Sequence, residues 1–135
     1  MTTRTEATDI MMGHVRAMLP LGVAVVWPMT PAIVPENTLW IRPSIQHVGG
    51  GQASLSGAIG TRRFDRYGML TIQCFSPVGD GNTDADDLAG SLLNSFESIR
   101  NSQVWYRNIR AIEIGKEGST VQVNLIADFS YEEIH

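Results

Sequence analysis

The chain has 135 residues, of which 43% are apolar and 18% charged, a balance that excludes a disordered tail and suits one domain over residues 1–135 with its own core. Ten Lys and Arg against fourteen Asp and Glu give a formal charge of −4, which lacks the basic footprint of a sequence-reading nucleic-acid binder. One cysteine, Cys74, excludes an internal disulfide and a CxxC zinc or redox pair, and no apolar run approaches the ~20 residues of a membrane helix. The expected setting is intracellular or redox-indifferent, and residues 1–9 lack the basic-then-apolar layout of a secretory leader.

Helical spacing of Ala7, Ile10, Met11, His14 and Met18 predicts a helix over residues 5–19, capped by Thr5 or Thr8 and stopped by Pro20 and Gly22. Residues 23–27 are a β-branched run of strand type. Residues 38–48 read as a further strand, in which Pro43 has no N–H to donate and so demands an edge position or a break. Gly49, Gly50 and Gly51 predict a flexible loop over about residues 48–54. Residues 52–59 alternate as a strand.

Residues 63–76 form a long strand with apolar groups of both parities, which places it centrally in a sheet. A loop follows over residues 77–82. Ala85, Leu88, Ala89, Leu92, Leu93, Phe96 and Ile99 then make one apolar stripe on a helix over residues 84–100, with Thr83 and Asp86 as a candidate capping box. Residues 106–114 and 120–131 are the last strands, joined by a turn at 115–119. Val121, Val123, Leu125, Ala127, Phe129 and Tyr131 face a core. Strands cluster instead of alternating with helices. The expected class is therefore α+β, one mostly antiparallel or mixed sheet with two helices on one face.

No catalytic motif emerges. Cys74 alternates with Leu70 and Ile72 and reads as a buried structural thiol. His14 reads as a core or interface histidine, His47 adjoins the triglycine, and His135 is terminal. Asp80, Asp84, Asp86 and Asp87 lack calcium-loop spacing and suit a helix start. The glycine stretches lack the Lys-Ser/Thr of a phosphate loop. No metal and no cofactor is expected. Arg62, Arg63, Phe64, Asp65, Arg66 and Tyr67 concentrate charge and aromatics, as does Trp105-Tyr106-Arg107. The first is a solvated strand end or a protein contact, and the second a set of anchors or a core plug.

The stretch Arg63-Phe64-Asp65-Arg66-Tyr67-Gly68-Met69-Leu70-Thr71-Ile72-Gln73-Cys74-Phe75-Ser76-Pro77 resembles the centre of phage tail terminator-like proteins. The likeness continues through Asp86-Asp87-Leu88-Ala89 on the helix and Val121, Val123, Phe129, Tyr131 and Glu132 on the last strand. Trp40 and Arg42 precede the glycines in a similar way, whereas Ala127-Asp128 stands where a proline is typical. The resemblance spans about residues 38–133; the first helix carries no specific motif. It implies a non-enzymatic virion protein, assembled in the host cytoplasm, that forms a homo-oligomeric, typically hexameric ring at the head-proximal end of a non-contractile tail. Such a ring stops tube polymerisation, meets the tail tube protein and the head-connector protein, and lets DNA pass through its lumen without specific binding; no membrane is involved.

The loop over residues 48–54 would then help build ring contacts. Arg62, Arg63, Phe64, Arg66 and Tyr67 would face an acidic patch of Asp84, Asp86 and Asp87 on the next subunit. The alternatives are another head–tail joining or tail-tube protein, or a small ligand-binding or enzymatic α+β domain using His47 and Asp65.

Overall fold

Thr3 caps the first helix: its side-chain oxygen accepts from the Glu6 backbone N–H at 3.2 Å. Helix α1 spans Arg4–Met18, so the cap lies earlier than Thr5 or Thr8. A Thr at residue 5 or 8 is already inside the turn, and the Thr8 hydroxyl donates back to the Arg4 carbonyl. The computed structural model describes residues 3–19, 23–27, 39–52, 62–77, 83–99, 102–117 and 120–134. The expected strand beyond Gln52, the loop over 78–82, and the turn residues 118 and 119 lie outside them, as do Asp80, Arg100 and His135.

Five strands make one sheet in the order β1-β2-β3-β5-β4. They are β1 (Ala24–Val25), β2 (Trp40–Gln52), β3 (Arg63–Pro77), β4 (Trp105–Glu117) and β5 (Thr120–Ile134). Among the described strands only the β1–β2 pair is parallel. The class is α+β, with helix α2 (Thr83–Glu97) packed on the strands. β3 is central, as its two-sided apolar content predicts.

Pro43 sits inside β2 without breaking it. β1 pairs only with Trp40 and Ile41, and the Ile41 carbonyl accepts from Val26 on that side. Strand alternation points the Pro43 nitrogen the same way, past the end of β1 and away from β3, so no pairing with β3 is lost.

The pattern of β5 is carried through almost residue by residue. Val121, Val123, Leu125, Ala127, Phe129 and Tyr131 are all buried, and the residues between them are not. Their partners across the register include Cys74, Ile72, Leu70 and Gly68. Onto this face fall Met11 and Val15 from α1 and Leu88, Leu92 and Phe96 from α2, in one cluster. Each full burial of a side chain this size is worth roughly 1.5–3 kcal/mol. Val15, not His14, completes the buried stripe of α1.

The triglycine segment is the main correction to the sequence reading. Gly49, Gly50 and Gly51 are strand residues of β2, paired with Tyr67, Arg66 and Asp65. A register shift between His47 and Gly49 leaves Val48 as a bulge, 58% exposed. Close approach accounts for two of these glycines. A Cβ at Gly49 would stand 2.8 Å from the Tyr67 hydroxyl, and one at Gly50 would stand 2.9 Å from Arg66 Cδ.

Gly68 is tighter still. A Cβ there would collide with the Gln46 carbonyl oxygen and stand 2.7 Å from Phe129 Cζ. The Phe129 ring occupies the space that glycine leaves opposite it, edge-on to His47 at 5.3 Å between ring centres. Gly68→Ala is expected to cost roughly 1–3 kcal/mol in urea unfolding. Gly51→Ala, with nothing within 4 Å of its new Cβ, is expected to leave stability unchanged or slightly raised. Equal unfolding midpoints for Gly68→Ala and the parent would refute the close-approach account.

Candidate functional site

Residues 62–67 are contiguous in sequence but not in space. On β3, successive side chains take opposite faces. Phe64 and Arg66 pair with Glu133 and Tyr131 on the helix-covered face. Arg63, Asp65 and Tyr67 stand on the other face, which carries no helix among the described elements. The sequence cluster is thereby divided between the two faces.

On the helix side, the guanidinium carbons of Arg62 and Arg66 lie 5.6 and 5.0 Å from the centre of the Phe64 ring. Arg66 also reaches Glu133 at 3.3 Å. Beside it, His47 Nε2 and the Tyr131 hydroxyl are 2.8 Å apart. Arg4, at the start of α1, closes the rim. These four residues with Val48, Gly49, Gly50 and Glu133 line a cleft of about 420 Å³. Burial pushes the His47 pKa down, and Arg4 and Arg66 push it the same way. The Tyr131 phenol is pushed up, first by burial and then by Glu133.

On the open face, Tyr67, Ser130 and Trp105 form one row across β3, β5 and β4. Tyr67 is 45% and Trp105 54% exposed, with the small Ser130 between them. With Asp65, Arg66, Arg107, Tyr131 and Glu132 they line a cleft of about 380 Å³. Arg63 and Glu132 pair at 3.8 Å near the same end, an exposed contact worth about 0–1 kcal/mol.

The Trp105-Tyr106-Arg107 trio divides by the same alternation. Trp105 and Arg107 are exposed, while Tyr106 turns inward. The Tyr106 ring is edge-on to Phe96 at 5.0 Å, and its hydroxyl lies 2.7 Å from His14 Nδ1. This bond fastens α1 to β4, and it is a contact that sequence spacing does not reveal. Next to it Asn108 adopts φ 51°, a left-handed conformation that asparagine tolerates, at a register shift between Arg107 and Arg110. Asn108 donates to Asp128 at 3.3 Å, and Arg110 pairs with the same carboxylate at 3.5 Å, which holds the bulge.

Asp84, Asp86 and Asp87 occupy the first turn of α2, Asp87 exposed and Asp86 half-buried. That turn follows the Pro77 end of β3, whereas the arginines stand at the Arg63 end. Asp86 and Asp87 make no ion pair with those arginines. His47 and Asp65 are not brought together: they stand on opposite faces. Cys74 is fully buried and its thiol pKa is pushed up to about 12. Among the described residues no three His, Cys, Asp or Glu side chains converge to hold a metal ion, and no helix is long and apolar enough to cross a membrane.

Comparison with known proteins yields a fold and no family. No family model matches the chain, and no curated protein matches it in sequence. A solved structure that bears no functional name is similar to it, with TM-score 0.67 over 95% of this chain and 96% of that chain, at 18% identity. At that identity the likeness is one of fold alone.

The two histidines make stability pH-dependent. Burial lowers the pKa of His14 and His47 below 6.5 in the folded chain. Below about pH 6.5 the unfolded chain then binds more protons, so acid favours unfolding. The urea midpoint is expected to fall between pH 7.5 and pH 5.5, and to fall less in a His14→Gln/His47→Gln double variant. An unchanged pH slope in that variant would assign the dependence to other groups.

Proposed function

We propose that this chain is a structural, non-enzymatic protein of a phage tail, a tail terminator-like subunit that closes into a ring at the head-proximal end of the tube. Its partners in this reading are further copies of itself, the tail tube protein and the head-connector protein. A head–tail joining role rests on the same features.

The observation that carries the reading is the exposed Tyr67–Ser130–Trp105 row, on the sheet face that carries no helix among the described residues. Monomers seldom leave a Trp and a Tyr this exposed side by side, and Trp, Tyr and Arg are the side chains that dominate contact energies. The stretch that resembles tail terminators, Arg63–Pro77, forms one unbroken central strand and supplies Tyr67 to this row. A net charge of −4 suits a lumen that lets DNA through without holding it.

Light scattering across protein concentration tests the reading. A step from 14.8 kDa to about six times that mass is expected, driven by mass action. Trp105→Ala is expected to raise the concentration at the midpoint of that step by roughly tenfold or more, without lowering the melting temperature. A chain that stays monomeric up to millimolar concentration overturns the ring.

A further inference from the structure

We propose that the Arg4–Arg66 cleft is a carboxylate receptor, and that its occupant is the exposed Asp87 carboxylate in the first turn of α2 on a second copy of this chain. The inference rests on the ring reading and specifies its contact.

The cleft carries two guanidinium groups against one carboxylate, Glu133. Arg66 pairs with Glu133 at 3.3 Å, while Arg4 makes no ion pair among the described residues. The histidine between them is hydrogen-bonded to Tyr131, and its lowered pKa leaves it neutral near pH 7. One net positive charge results. That matches a single carboxylate better than a doubly charged phosphate, which would remain under-neutralised.

The complementary charge is present on the same chain. Asp86 and Asp87 also make no ion pair among the described residues, and Asp87 is exposed. β3 carries the chain about 37 Å from Arg66 to Pro77 at the usual rise of an extended strand, and α2 comes later in the chain, from Thr83. Within one subunit Asp86 and Asp87 form no ion pair with the cleft. Between subunits they meet head to tail, the heterologous arrangement that closes into a ring.

Charge reversal and its repair test this contact. Arg4→Glu and Asp87→Lys, made separately, are each expected to raise the assembly midpoint in light scattering by roughly tenfold, since each places like charges together. The double variant Arg4→Glu/Asp87→Lys, or an equimolar mixture of the two single variants, is expected to return within about threefold of the parent. Arg4→Gln and Asp87→Asn guard against reversal damaging the fold; each is expected to weaken assembly less than its reversed counterpart, with unchanged circular dichroism. A parent that assembles and ignores both reversals, or a double variant no better than the singles, removes the contact and leaves the ring. A parent that never assembles removes both.

Discussion

Successive side chains of β3 stand on opposite faces of the sheet, and among the described residues only one of those faces receives helices. From this alternation follows the placing of almost every residue that matters here. Leu70, Ile72 and Cys74 go inward beneath Leu88, Leu92 and Phe96. Arg66 follows them in parity and so ends beside His47 and Tyr131 at the end of the core. Arg63, Asp65 and Tyr67, one step out of phase, are left on the side without helices. A one-residue slip in the β3–β5 register would exchange the two sets, and the buried alternation of β5 opposes such a slip along the strand.

Close approach, more than chain freedom, explains the glycines of this region. Tyr67 lies against Gly49, Arg66 against Gly50, and Phe129 against Gly68. At Gly50 and Gly68 a backbone carbonyl of Asp65 and of Gln46 comes closer still, so backbone and side chains together fill the places where these glycines have no Cβ. The cost is a strand with little packing of its own, and β2 is held here by its ladder to β3 instead. The bulge at Val48 lies at the junction between the apolar part of β2 and this glycine part.

The two His–Tyr pairs do related work at separate places. His14 and Tyr106 join α1 to β4, and His47 and Tyr131 join β2 to β5 across β3. Each polar group loses water on burial and recovers a hydrogen bond from the other, so neither is left unsatisfied. The same burial makes the protonated imidazole unfavourable, which links the integrity of these joints to pH.

Periodicity made the elements legible: the stripe of Ala85, Leu88, Ala89, Leu92 and Phe96, and the alternation from Val121 to Tyr131, each correspond to an observed face. The α+β class and the central position of β3 followed from the same apolar patterns, because burial acts locally on every second or every third to fourth residue. What adjacency in sequence could not convey is which neighbours share a face and which distant residues meet. The grouping of residues 62–67, the division of Trp105 from Tyr106, the pairing of His47 with Tyr131, and the strand conformation of Gly49–Gly51 all depend on register between strands far apart in the chain. Register is decided by the whole set of cross-strand contacts at once, so only the tertiary structure determined it.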